Sequence, residues 1–248
     1  MTEREAFLYR FHARRPGITS AGLARPAGLD GYARLVAVVP PGARVLDLGC
    51  GDAHLVARLG PRAVGLDLWP CRGSTGAALV AGRAQALPFA DGAFDACVCH
   101  LAFMLFDELD QVVRELRRVV VPGGVFAAVL GGGPTADADD RDDAFHRFLA
   151  LAAPRASGFG DRRARTEAGW GELFAPRPDS ADGDSAVRFE RFELDLSGSF
   201  DEVWRFLGAS YQLAEPDAPS VEAALSAAYA GRAIVPCRVV MWLATARL

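Results

Sequence analysis

The chain has 248 residues, 51% of them hydrophobic and 23% charged, with a formal net charge of −4. That length suits one α/β domain with a cap, or at most two small domains, and the composition excludes a mainly disordered chain. The acidic balance argues against nucleic acid as a partner, and no apolar run reaches the roughly 18 residues of a membrane span.

In chain order, Met1 to Glu5 are charged and lack the apolar core of a signal peptide, so a cytoplasmic location is the expectation. Residues 1–35 read as an N-terminal helical cap. In Phe7-Leu8-Tyr9-Arg10-Phe11-His12 apolar side chains recur at helical spacing until Pro16-Gly17 breaks the run. Residues 36–135 read as the cofactor-binding half, where strand and helix patterns alternate as in βαβ units. Strands are predicted at Arg44-Val45-Leu46-Asp47-Leu48, Ala63–Leu66, Ala78–Ala81, Phe94–Cys99 and Val125–Leu130. A helix is predicted over 108–121, stopped by Pro122-Gly123-Gly124. Residues 136–186 read as a lid or mobile insertion, because 154–186 are rich in Pro, Gly, Arg and Asp without clear periodicity. Residues 187–248 read as a strand-helix-strand half. Its features are an alternating strand from Val187, a capping box at Ser199-Phe200-Asp201-Glu202 with a helix through Leu213, a helix from Ser220 to Tyr229, and a last strand at Arg238–Ala246.

All 27 residues counted as Lys or Arg are Arg, and Asn is absent. Without Lys there is no phosphate-cradling P-loop lysine, no Schiff base and no lysine general base. The five cysteines, Cys50, Cys71, Cys97, Cys99 and Cys237, are odd in number and read as reduced thiols, most of them buried. Cys97-Val98-Cys99 has no second cysteine pair nearby, so no metal site is expected.

The strongest motif is Val45-Leu46-Asp47-Leu48-Gly49-Cys50-Gly51-Asp52, a buried strand running into Gly-x-Gly, where backbone approaches a ligand closely. The third glycine of a dinucleotide fingerprint would fall at His54, so the loop favours a ligand without a pyrophosphate. Asp67, at the tip of the second strand, is placed to accept the hydroxyls of a ribose. Together the two motifs indicate adenosine.

The block that begins Ala84-Gln85-Ala86-Leu87-Pro88-Phe89 continues through Asp91-Gly92-Ala93-Phe94-Asp95 and Arg114-Glu115-Leu116-Arg117-Arg118-Val119 to Pro122-Gly123-Gly124. With the two earlier motifs it resembles the small-molecule, methyltransferase type 11-like branch of the class I S-adenosylmethionine-dependent methyltransferases, over about 45–130. The resemblance implies a Rossmann-like, mostly parallel seven-stranded sheet with helices on both faces and an antiparallel last strand. It implies S-adenosylmethionine as cofactor. Asp47 would anchor the loop or the cofactor's amino group, Gly49, Cys50 and Gly51 would line its methionine and ribose, and Asp67 would hold the ribose diol. Leu68 would pack on the adenine with Ala84 and Gln85 along its edge, and His100 and Leu101 would face the transferred methyl group. The sequence departs from the family at Arg83, where an acid usually meets the adenine amino group, and at the broken stretch from Trp69 to Gly76.

The expected reaction is metal-independent methyl transfer to a small-molecule acceptor at O, N or C, by in-line displacement. His100 is the first candidate for a base. Tyr9, His12, Phe103 and Trp204 are candidates for the acceptor side. The strand after which nucleobase-methylating relatives carry their Pro-Pro motif is followed here by Leu101-Ala102, lysine-centred ribose methylation needs a Lys, and the catechol type needs an Asn. Two alternatives stand beside this reading: a catalytically silent cofactor-binding or regulatory member of the same fold, and, on Gly-x-Gly and Asp67 alone, a nicotinamide oxidoreductase.

Overall fold

The computed structural model describes residues 2–24, 30–70, 76, 78–134, 142–152, 160–176, 187–211, 213 and 215–248. Three helices open the chain: α1 (Glu3–Arg14), α2 (Ile18–Leu23) and α3 (Gly31–Val38). Thr2 and Glu5 cap α1 reciprocally, and the Asp30 carboxylate accepts from the Ala33 amide to start α3. There follow β1 (Val45–Leu48), α4 (His54–Leu59), β2 (Ala63–Asp67), β3 (Ala78–Ala81), β4 (Phe94–His100), α5 (Leu109–Val119) and β5 (Val120–Pro134). The second half holds α6 (Ala144–Leu151), α7 (Glu167–Leu173), β6 (Arg188–Asp195), α8 (Phe200–Leu207), α9 (Ala218–Ala228) and β7 (Arg238–Arg247). Among the described residues no helix is long and apolar enough to cross a membrane.

The seven strands form one sheet in the order β3-β2-β1-β4-β5-β7-β6. All pairs from β3 to β5 are parallel, and β7 runs antiparallel between β5 and β6. This is the expected mostly parallel sheet with an antiparallel last strand. Alternate residues feed two cores. Val45, Val98 and Val129 join one cluster with α3, α4, α6, α8 and α9, while Leu46, Cys97 and Phe126 join another with α5 and α7. Burial on both faces explains why these strands read as nearly continuous apolar runs.

The boundaries differ from expectation where side-chain pattern and backbone pairing part company. The helix expected over 108–121 ends at Val119, because Val120 already pairs with Phe94. Pro122-Gly123-Gly124 therefore sits within β5, where the register jumps from Phe94↔Val120 to Ala96↔Val125. The helix after the Ser199–Glu202 capping box ends at Leu207 rather than Leu213.

The larger correction concerns the expected lid. Residues 160–176 are folded: a 3-10 turn at Arg162–Arg165 leads into α7, and Trp170, Leu173 and Phe174 are buried in the second core. Trp170 stacks on Phe126 and donates its indole N–H to the Ala164 carbonyl at 2.9 Å. Residues 142–152 of the predicted insertion carry α6, while 136–141, 153–159 and 177–186 lie outside the described residues.

Candidate functional site

The chain reverses direction across the sheet between β1 and β4, so their C-terminal ends open a crevice of the kind that binds ligands in such folds. Gly49 leaves β1 with φ +78°, and a Cβ there would come within 2.4 Å of the Ala102 Cβ. Only glycine fits that approach. The Gly49 and Cys50 amides both donate to the Leu66 carbonyl, at 2.7 and 3.1 Å, folding the loop over the end of β2. The Gly51 amide donates to Asp67 Oδ2 at 3.0 Å, and the Trp69 amide donates to Oδ1 at 3.0 Å. The glycine turn and the Asp67 carboxylate are thus one unit, and each carboxylate oxygen keeps lone pairs for a further donor. Beyond Gly51 the space is open, with nothing within 4 Å of where a side chain would begin.

Asp47 lies beneath this loop, 1% exposed. Burial, with the nearby charges of Asp67 and Asp52, pushes its pKa up to about 8. Its Oδ2 is buried with no hydrogen-bond partner among the described residues. A cationic amino group placed there would satisfy that oxygen and draw the proton off, which is what the donor of the resembled family presents. On this observation and the open cradle at Gly51, the residues fit S-adenosylmethionine.

His100 ends β4 and lines the same cavity, but its ring stacks on Tyr32 at 3.8 Å, with Nε2 turned to Gly31. The cause lies in α3: Asp30, bound to the Arg58 guanidinium at 2.9 and 3.1 Å, caps the helix and so sets Tyr32 over the imidazole. Burial pushes the His100 pKa down to about 3. The ring is neutral at physiological pH. Leu101, next in the chain, takes φ +57°, a conformation rare for a branched side chain.

A cavity of about 920 Å³ joins these groups. Asp47, Gly49, Cys50, Gly51, Asp67, Leu68, Ala84, Gln85, His100 and Leu101 all line it, as do Tyr9 and His12. Two acceptor-side candidates do not. Phe103 is wholly buried in the second core against Phe126 and Trp170, and Trp204 packs on the first core, stacked with Phe200. The apolar spacing of their helices served packing.

The roof of the cavity is α1 and α2, the expected N-terminal helical cap. Arg83, standing where an acid was expected, is ion-paired with Glu5 of α1, and Arg4 pairs with Asp107 at 3.2 Å. The acid missing from position 83 is brought in by a different element. The Gln85 amide donates to the Asp107 carbonyl at 2.9 Å. Tyr211, beyond α8, reaches His12 across the roof, with Nε2 2.6 Å from its hydroxyl. No local motif announces that pair, since its members lie 199 residues apart.

Residues 46–128, from β1 into β5, match the family described as a methyltransferase domain. That stretch, about a third of the chain, is similar to a methyltransferase domain. Among curated methyltransferases, the chain is similar to a malonyl-acyl-carrier-protein O-methyltransferase of Methylococcus capsulatus, 36% identical over 129 residues, covering 46% of this chain and 47% of the relative. A demethylmenaquinone methyltransferase of Beutenbergia cavernae is 38% identical over 95 residues, 34% of this chain and 39% of the relative. The chain spans about half the length of the former, and less of the latter. In fold it is similar to the YcgJ protein of Bacillus subtilis, with a TM-score of 0.53, 18% identity, and coverage of 87% of this chain and 97% of that one. The 4+2 cyclase SpnF also shares the fold, with a TM-score of 0.51, 18% identity, and coverage of 99% and 96%. Methyltransferases of this type use S-adenosylmethionine as methyl donor; a shared class I fold by itself does not name a reaction.

Proposed function

We propose that the protein transfers a methyl group from S-adenosylmethionine to a small-molecule acceptor, without a metal ion. The observation that carries this reading is the convergence of two carboxylates on one cavity: Asp47, buried with an unpartnered oxygen, and Asp67, fixed to the glycine turn. Asp47 would hold the donor's amino group, Asp67 its ribose diol, the Gly49–Gly51 backbone its middle, and Leu68, Ala84 and Gln85 the adenine. When bound, the donor supplies an electrophilic methyl carbon whose leaving group departs neutral. The protein's own task is to align the acceptor and to exclude water. Leu101, Met104 and Phe106 line the cavity at the end of β4 and contribute apolar wall there. His100, neutral and stacked, shapes the site. The relatives' names, with acceptors as unlike as a malonyl-acyl-carrier protein and demethylmenaquinone, leave the acceptor's class to the cavity's own chemistry. Among the described residues no group of three or more His, Cys, Asp or Glu is placed to hold a metal.

Calorimetry with S-adenosylhomocysteine, followed by transfer of labelled methyl groups into a metabolite extract, tests the reading. Saturable binding that Asp67→Ala weakens about 100-fold, through lost charged hydrogen bonds worth about 1.5–3 kcal/mol, is the expected result, together with a labelled product. Binding with no labelled product would leave the silent-member alternative, and no binding at all would overturn both.

A further inference from the structure

The cavity roof holds a pair of groups that cofactor binding does not use. His12 lies on the last turn of α1 and Tyr211 beyond α8, and both line the cavity shared by Asp47, Gly51 and Asp67. Their 2.6 Å contact is well within the range of an O–H···N hydrogen bond. The Tyr211 ring is held in place, edge-to-face, by Phe11 at 4.7 Å and Phe7 at 6.3 Å.

The direction of that bond follows from the surroundings. Burial, then the charge of Asp67, raises the Tyr211 pKa above its usual range, so the phenol keeps its proton and donates it. Burial lowers the His12 pKa, so its imidazole is neutral at physiological pH and Nε2 accepts. Asp67 and Asp52 act the other way on His12, favouring the imidazolium once a proton arrives. A phenol oxygen that donates its proton can also accept one from a further O–H.

Resting on the methyltransferase reading above, we propose that Tyr211 and His12 are a proton relay for the acceptor, and that the acceptor is an apolar molecule bearing a phenolic or enolic hydroxyl. The acceptor's O–H proton passes to Tyr211 Oη as the tyrosine's own proton passes to His12 Nε2. The acceptor oxygen forms its bond to the methyl carbon while the carbon–sulfur bond breaks, its electron pair staying on sulfur. The one positive charge present at the start, on the sulfonium, is at the end on His12, whose exposed side returns the proton to solvent.

The rest of the cavity favours that acceptor class. Ile18, Leu23, Phe145, Phe206 and Met241 make an apolar wall. The guanidinium groups among its described lining residues are Arg4 and Arg83, already paired with Asp107 and Glu5. A carboxylate acceptor would arrive ionised, leave the relay idle and find both cations engaged. The volume of about 920 Å³ stands near the top of the range for a single small ligand, leaving room for donor and acceptor together.

The test compares wild type, His12→Gln and Tyr211→Phe on 2-naphthol and on 2-naphthalenethiol, an aryl thiol acidic enough to ionise unaided at neutral pH. Calorimetry with S-adenosylhomocysteine runs in parallel. Removing either relay member should slow naphthol methylation at neutral pH about 100-fold or more, in the range of general base catalysis, and raising the pH should restore much of it. Thiol methylation and cofactor affinity should stay near wild type, which a folding defect would not allow. Nitrogen NMR of labelled histidine gives a readout independent of turnover: Tyr211→Phe should remove the hydrogen-bond shift at His12 Nε2. Equal naphthol rates in all three proteins overturn the relay, as does a wild type that binds cofactor and leaves naphthol unmethylated. A wild type that binds no cofactor overturns the methyltransferase reading, and the relay with it.

Discussion

Asp47 stands on β1 between Leu46 and Leu48, both wholly buried, and its raised pKa has consequences of opposite sign for folding and for binding. An unfolded aspartate titrates near about 3.9, whereas here the folded chain holds its proton up to about pH 8. Between those values the native state binds more protons than the unfolded one, so stability falls as pH rises. The contribution is fully present below the unfolded pKa and lost as pH passes the folded pKa. Asp47→Asn removes that slope: its melting temperature should exceed that of wild type by a few degrees at mildly alkaline pH and converge on it in acid, measured by calorimetric melts across the range. On the proposed reading the carboxylate holds the cofactor's amino group, so the same variant should bind S-adenosylhomocysteine roughly 10- to 100-fold more weakly, the worth of one charged hydrogen bond. A variant equal to wild type in both respects would remove Asp47 from the site.

The elements of the cofactor half were legible where chemistry marks a position along them. Gly49 and Gly51 follow β1, Asp67 ends β2, and Pro-Gly-Gly punctuates β5. Residues 160–176 were illegible for the opposite reason. Trp170, Leu173 and Phe174 make only one turn of helical period, set among Pro, Gly and Arg, and what folds them is the second core beneath the sheet. Tertiary burial overrode a weak local pattern. Trp170→Ala should therefore cost about 3–5 kcal/mol, as for other buried aromatics, where a mobile lid would lose almost nothing; urea unfolding measures the difference. Ser199→Ala tests an element end that the sequence did reveal. Its hydroxyl accepts from the Glu202 amide at 3.4 Å and the Glu202 carboxylate accepts from the Ser199 amide at 2.8 Å, so losing the cap should cost about 1 kcal/mol in the same assay. Phe103 and Trp204 show the limit of the method at the site. An aromatic near a motif reads alike whether it faces a ligand or the core, and only the packed structure separates Phe103, behind the wall, from Phe106, on it.

At the scale of the molecule, the sheet supplies a fixed floor and the N-terminal helices a lightly fastened roof. The floor is β1, β2 and β4, hydrogen-bonded in register and buried on both faces. The roof is tied down by Glu5–Arg83 and Arg4–Asp107, pairs with solvent-exposed members that are individually weak, together with the small aromatic cluster of Phe7, Phe11 and Tyr211. A ligand the size of an adenosine sulfonium would enter by loosening α1, whose ties are of this weak kind. Once bound, it adds contacts to both layers. Hydrogen exchange should show α1 and α2 gaining protection with S-adenosylhomocysteine while β1 and β4, already slow, change little. Ligand at about one hundred times its Kd stabilises the native state by about 2.7 kcal/mol, so the melting temperature should rise by roughly 5–10 °C for a chain of this length. Added salt should speed exchange in the free roof by weakening its ion pairs and leave the floor untouched. Equal protection of roof and floor in the free protein would mean that the helices are as firmly seated as the sheet, and that the ligand enters by another route.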